Sequence, residues 1–443
     1  MSTVNTDHTT GPTGPARAAT GPRAADGVVL RPLDLDSPEV HAWMRAVSRV
    51  QKDPGGVPPE RVELRRPAYR TQRVSAAFDG DDVVGTFRSW DLDLTVPGGA
   101  AVRADAISSV SVQPTHRRRG ILTRMMAGDL AAAADRGVAV AILIASEGGI
   151  YGRFGFGPAT ETSTWTLDLR TARFPDAVGG DADGRCRTVE ADQLRPLGPQ
   201  VYLRSRTAGA IDRTDLWWDL ATGVVTWPGE DPKHRYGVVH HDPDGVPDGL
   251  LLYRVEESWP DRVPANTVHV TELVTATPQA YRGLWRYLAE LDLVTLVRAE
   301  ERPVDEALPW LLTDQRAARQ ATRCDFEWTR LLDPAAALSA RRYETPGEVA
   351  FEVVDEHGWA AGRYRLEVDA DGFGRCARTS APAQLTLTVQ ALSALWLGGG
   401  GLGGAGLDAA VLAGQAVEHR DGGVRRLGGM LRTARAPWTS TWF

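Results

Sequence analysis

The run Val110-Ser111-Val112-Gln113-Pro114-Thr115-His116-Arg117-Arg118-Arg119-Gly120-Ile121-Leu122 constrains this chain more than any other. A strand ends at Val112, because Pro114 cannot continue a sheet ladder. Three arginines and Gly120 then open a helix from Ile121 to about Arg136, which Gly137 stops. Val138 to Ala145 follows as a continuous apolar run, the pattern of a strand buried on both faces. The first N–H groups of such a helix point outward, and its dipole adds positive potential there. Strand, basic turn and helix together make an anion site that needs no metal. Gly120 lets the backbone approach that anion closely. The arginine run alone reads equally well as a solvated turn.

Elements alternate along the rest of the chain. Residues 1–26 are rich in Thr, Gly, Pro and Ala without apolar periodicity, and are expected to be a disordered tail. A first domain is expected over 27–173. In it Arg73 to Phe78 and Val83 to Asp91 pair as strands through the turn Asp79-Gly80-Asp81-Asp82. A linker is expected over 174–187, a second domain over 188–330 and a third over 331–443. The second repeats the order of the first. A strand, Val268 to Leu273, precedes Thr277-Pro278, then Tyr281-Arg282-Gly283, then a helix from Leu284 to Leu291. This suggests a duplicated unit that kept one arginine where the first has three.

Partners are bounded by charge and by what is missing. The net charge is -7, which disfavours nucleic acid. The apolar run at Val138 is far too short to span a bilayer, so no membrane partner is expected. Cys186, Cys324 and Cys376 lie far apart, with no metal-ligand spacing. No metal is expected, and a reducing, cytoplasmic location is. Gly399-x-Gly401-x-x-Gly404 matches a dinucleotide fingerprint, but it follows a helix and reads as a loop. His240-His241-Asp242 reads as a surface turn rather than a metal site. Trp217, Trp218, Trp285 and Trp310 read as core, and His116 as a solvated side chain.

Arg117-x-x-Gly120-x-Leu122 resembles the coenzyme A loop of the GCN5-related N-acetyltransferases, with Leu122 departing from the usual Gly or Ala. The run Gly148-Gly149-Ile150-Tyr151-Gly152-Arg153-Phe154-Gly155-Phe156-Gly157-Pro158 resembles more closely the enhanced intracellular survival (Eis) branch of that superfamily. Leu252-Tyr253-Arg254-Val255, Leu284-Trp285-Arg286 and Leu311-Leu312-Thr313-Asp314 agree with it. The resemblance runs from about residue 28 to the end. It implies an α/β and α+β architecture: tandem GNAT-like units, mixed sheets with flanking helices, then a sterol-carrier-like domain. It also implies acetyl-CoA as co-substrate, a homohexamer, and acceptors that include aminoglycosides and protein lysines. Acidic walls would favour such polycationic amines. Acetyl-CoA contacts are implied at Val110, Ser111, Val112, Arg118, Arg119, Gly120, Ile121, Leu122, Thr123, Ser146 and Glu147. The general acid is implied at Tyr151, and the base at the terminal carboxylate of Phe443.

The chemistry of those residues is consistent with these roles. A phenol, with a pKa near 10, hands a proton to a thiolate, whose acid has a pKa near 8.5, at modest cost. The chain ends Ala436-Pro437-Trp438-Thr439-Ser440-Thr441-Trp442-Phe443, whereas termini are usually frayed and polar. These aromatics either dock the carboxylate at a site or merely anchor the chain. A lipid-binding protein with relic transferase units is the alternative from another class.

Overall fold

The structure, a computed structural model, describes residues 27–52, 56–175, 184–228 and 234–443. The tail expected over 1–26, and residues 176–183 of the expected linker, lie outside the described residues.

The first part of the chain forms β1 (Val29–Pro32), α1 (Glu39–Gln51), α2 (Pro59–Tyr69), β2 (Arg73–Asp79), β3 (Asp82–Thr95) and β4 (Ala101–Val112). Then come α3 (Ile121–Asp135), β5 (Val140–Ile144), α4 (Gly148–Tyr151) and β6 (Gly157–Pro158). The middle forms β7 (Glu161–Asp168), β8 (Arg185–Glu190), α5 (Gly198–Ser205), α6 (Asp215–Thr222), β9 (Tyr236–His241) and β10 (Pro247–Glu256). It continues through β11 (Asn266–Thr275), α7 (Pro278–Ala289), β12 (Val294–Arg302), β13 (Ala318–Asp325) and β14 (Glu327–Leu331). The last part forms α8 (Pro334–Ala340), β15 (Gly347–Val354), β16 (Gly362–Val368), β17 (Gly374–Arg378), β18 (Leu385–Thr388), α9 (Val389–Leu395), α10 (Gly406–Leu412), β19 (Ala416–Glu418) and α11 (Gly423–Leu431).

Three sheets result, in the orders β1-β2-β3-β4-β5-β14-β6, β13-β7-β12-β11-β10-β9-β8 and β17-β16-β15-β18-β19. In the first sheet β4 and β5 run parallel, with α3 as the crossover. In the second, β11 and β12 run parallel, with α7 as the crossover. The shared strand–helix–strand order is the structural form of the duplication. The β2–β3 hairpin closes at Asp79↔Asp82, on the turn the sequence marks. β3 outruns its expected end at Asp91 because it pairs with β4 as far as Thr95.

β5 carries the junction of two cores. Ala141 and Leu143 pack with Met126 and Leu130 of α3. Val140 and Ile142 pack on the other face with Leu392 and Trp396 of the third unit. Each such side chain contributes about 1.5–3 kcal/mol by leaving water, which explains why β5 reads as an unbroken apolar run.

The sheets do not divide at the expected boundaries of 173 and 330. β7 precedes residue 173 yet sits in the second sheet between β13 and β12, and β14 sits in the first sheet between β5 and β6. The chain therefore crosses between units twice. The crossings are bonded side by side, Ala159 N–H to the Glu327 carbonyl at 2.9 Å and Phe326 N–H to the Thr160 carbonyl at 3.0 Å.

Several local readings need correction. His240 is buried in β9, not in a turn, and its Nδ1 lies 2.6 Å from Asp248 Oδ1. Gly283 lies inside α7 and leaves room for that ring, since a Cβ there would stand 2.7 Å from His240. Trp218 and Trp285 are core, but Trp310 is 82% exposed because the tight turn Leu308–Leu311 buries Leu308 instead. No helix among the described residues is long and apolar enough to cross a membrane.

Candidate active site

The site begins where β4 and β5 part. Their parallel pairing runs from Ala104↔Val140 to Ile107↔Leu143 and stops there. β4 continues along β3, with Thr86↔Ser111 and Gly85↔Val112, so Val110–Val112 keep one strand partner and present their other edge. The cause is an irregularity in the β3–β4 ladder between Thr86 and Arg88, centred on Ser109 at φ 53. A side chain in that left-handed region costs roughly 1–2 kcal/mol. Thr86 Oγ1 offsets it by donating to the Ser109 carbonyl at 2.7 Å. A bulge bends its strand, and here it opens a wedge between β4 and β5.

The basic turn closes one end of the wedge. Arg118 (φ 66) and Gly120 (φ 70) both take left-handed backbone, and Gly120 is the N-cap of α3 without any side-chain cap. The N–H groups of Ile121, Leu122 and Thr123 are thus left for a ligand. The Ile121 side chain is buried, so its contribution is backbone alone. His116 is not a free solvated side chain: its Nε2 lies 3.0 Å from Asp79 Oδ2, and Arg119 Nη1 lies 3.9 Å from the same oxygen.

Ser146 and Glu147 follow β5 directly, and Glu147 leads into α4. Tyr151, at the end of α4, is 8% exposed and packs in one cluster with Ile121, Leu143, Phe154 and Phe156, with Val110 and Val112 against it. Burial, and then the Glu147 charge, raise its pKa above the ordinary phenol value. Its proton is therefore retained until something more basic appears nearby. β14 and the third unit together clamp this loop. Arg330 Nε donates to the Phe154 carbonyl at 2.8 Å, and its buried guanidinium pairs with Asp355 at 2.7 Å. Gln390 Nε2 donates to the Gly152 carbonyl at 2.9 Å. Gly155 (φ 88) is required, because a Cβ there would stand 2.4 Å from Arg330.

The chain terminus reaches the opposite face of the sheet. Ser108 Oγ donates to the Phe443 main-chain oxygen at 3.1 Å, and the Phe443 ring meets Trp90 edge to face at 5.7 Å. Phe443 packs against the cluster that holds Val140 and Ile142, whereas Tyr151 belongs to the cluster of Ala141 and Leu143. The wedge lies between the two. Arg88 supports this arrangement: Nη2 donates to Ser108 Oγ at 3.0 Å and Nε to Ser109 Oγ at 2.9 Å. Burial lowers its pKa to about 10, so it stays charged at neutral pH.

A cavity of about 630 Å³ borders Ser108, Ser109 and Phe443, walled by α1, α2, β3 and α6. These helices did not stand out in the sequence, because their patterns match ordinary core-facing helices, and Trp217, expected in the core, is part-exposed and lines the cavity. Among the described residues the cavity does not show the acidic walls expected for a polycation. Among the described residues Asp212 is the one acidic side chain in its lining, beside Arg61, Arg65 and Arg88.

The second unit has no equivalent turn. α7 starts at Pro278, and Thr277 Oγ1 caps it by accepting from Ala280 N–H at 3.1 Å. Tyr281-Arg282-Gly283, read as the counterpart of the arginine turn, is already helix.

Comparison with known proteins agrees with this anatomy. One acetyltransferase (GNAT) domain family matches residues 32–159, another matches 209–343, and the sterol carrier protein domain family matches 334–440. The chain is 42% identical over 426 residues to an uncharacterized N-acetyltransferase of Streptomyces avermitilis, covering 93% of this chain and 100% of that one. It is 40% identical over 330 residues to N-acetyltransferase Eis of Mycobacterium tuberculosis, covering 73% of this chain and 77% of that one. The chain belongs to the Eis family of GCN5-related N-acetyltransferases. The crystal structure of Eis1 from Mycobacterium abscessus matches it with a TM-score of 0.79 at 32% identity, covering 94% of this chain and 100% of that one. Family membership makes this chain an acyltransferase built from two GNAT units and a sterol-carrier-type unit.

Proposed function

We propose that this protein moves the acetyl group of acetyl-CoA directly to an amine. One observation carries the reading: the unpaired edge of Val110–Val112 leads straight into the uncapped N-terminus of α3. The edge offers peptide groups to the amides of a pantetheine arm. The N–H groups of Ile121–Thr123, with Arg118 and Arg119, offer a seat for the diphosphate. Ser146 and Glu147 flank the same wedge.

The amine enters from the cavity beside Phe443. Its nitrogen attacks the thioester carbonyl, the C–N bond forms and the C–S bond breaks. The departing thiolate takes the Tyr151 proton. A free α-carboxyl has a pKa near 3.5 and is a weak base. The carboxylate therefore pairs with and orients the amine, and passes its proton to water. The acyl-transfer test is thiol release from acetyl-CoA with a panel of amines. Release that does not rise with any amine would refute the reading.

The aminoglycoside and lysine acceptors implied by the resemblance would call for carboxylates, of which the described lining offers Asp212. The homohexamer implied by the same resemblance is part of this proposal. Sedimentation equilibrium tests it.

A further inference from the structure

The cavity that admits the acceptor is unusual in its charge. Arg88 is 8% exposed, has no carboxylate within ion-pair distance among the described residues, and is coupled through Ser108 to the terminal carboxylate. Asp212 is compensated elsewhere: Arg206 Nη1 donates to it at 2.7 Å and the Asp93 N–H at 2.9 Å. These pairings leave Arg65. Among the described residues its guanidinium makes no ion pair or hydrogen bond. It lies over the face of Trp227, 4.5 Å from the ring centroid, at the α2 wall of the cavity. Aromatic side chains, among them Tyr69, Trp90 and Trp217, contribute to the remaining wall.

A half-buried cation on an aromatic wall attracts anions and repels cations. Guanidinium also pairs in two-pronged fashion with planar oxyanions. We infer that the acceptor is a primary amine on an aromatic body that carries a carboxylate or similar oxyanion at its far end. The amine meets Phe443, the ring lies among the tryptophans, and the oxyanion meets Arg65. This specificity rests on the transfer reading given above.

The test uses the full chain, acetyl-CoA and three acceptors: 4-(2-aminoethyl)benzoate, phenethylamine and spermidine. The first two differ by one distal carboxylate. The expected kcat/KM is roughly tenfold higher for the benzoate than for phenethylamine, the scale of one charge-assisted hydrogen bond, with spermidine last. Arg65→Met should bring the two arylamines to within about twofold of each other. High salt should shrink the preference in the unmodified protein. Equal or better turnover of spermidine overturns the inference and leaves the transfer reading standing. So does a benzoate preference that survives Arg65→Met. Absence of thiol release with every amine, while acetyl-CoA still binds, overturns the transfer reading beneath it.

Discussion

The Ser108 hydroxyl donates to the main-chain oxygen of Phe443 across 335 residues of sequence. That bond brings the end of the chain to the strand that opens the wedge, and ties both to the buried Arg88. The predictions follow from this geometry and from the groups on the other face of the sheet.

Displacing the terminal carboxylate should abolish turnover without unseating the donor. Removing Phe443, or adding a short Gly-Ser tail after it, moves the charge away from Ser108. Both variants should lose most activity in thiol-release assays while binding acetyl-CoA normally by calorimetry. Normal turnover in the tailed protein would reduce Phe443 to an anchor.

Tyr151→Phe keeps the ring in its cluster and removes the proton. Turnover should fall roughly 10²–10⁴-fold, the span for a general acid, with acetyl-CoA affinity little changed. Burial and Glu147 hold the phenol above its ordinary pKa of 10.0. An acid must stay protonated to work, so alkaline loss of kcat from this group should lie at higher pH than for an ordinary phenol. Near-normal turnover in the Phe variant would assign the proton elsewhere.

Replacing Arg118 and Arg119 together by Ala should weaken acetyl-CoA binding roughly tenfold, the scale of a charge-assisted hydrogen bond. Both are exposed on the turn that Gly120 closes, so the fold should be unaffected. An unchanged dissociation constant by calorimetry would move the diphosphate away from this turn.

Calorimetry should also find one acetyl-CoA per chain. In the second unit Thr277 already occupies the α7 N-terminus that would have to hold the diphosphate. A stoichiometry of two would show that a capped helix without an arginine turn still suffices.

Glu327 sets a pH dependence of stability. It is fully buried on β14, both carboxyl oxygens lack a hydrogen-bond partner, and burial holds its pKa well above the ordinary value. The carboxyl is neutral in the fold and ionised in the unfolded chain above about pH 4.3. The stability it allows is complete in acid and is lost as pH rises toward the folded pKa, by up to about 1.4 kcal/mol per pH unit. Glu327→Gln removes that loss. Its melting temperature should gain on that of the unmodified protein between pH 5 and pH 7, and a constant gap would refute the assignment.

What the sequence disclosed was local. The arginine turn, the β2–β3 hairpin and the doubly buried β5 each follow from residues adjacent in the chain, as does the docked aromatic terminus. The elements that needed distant partners stayed hidden. Nothing near Tyr151 signals that Arg330, Asp355 and Gln390 hold its loop. The cavity is assembled from α1, α2 and α6, whose apolar faces look like any core-facing stripe. The second unit was misaligned for a different reason. Thr277-Pro278 is a helix start by its own chemistry, a capping hydroxyl followed by a residue suited to the first helical position. Matching Arg282-Gly283 to Arg119-Gly120 gave more weight to resemblance than to that cap.

The exchange of β7 and β14 also bears on how the protein is made. A ribosome that has delivered the chain only as far as residue 326 has released a first unit whose sheet lacks β14, the neighbour that β5 needs on its outer edge. The doubly apolar β5 then stands as an open edge, the kind that recruits other chains. Gaining β14 closes that edge, but the third unit must still follow to cover Val140 and Ile142. The N-terminal unit is thus completed by its C-terminal neighbours, and its late closure makes the nascent chain dependent on protection from aggregation until those neighbours have emerged.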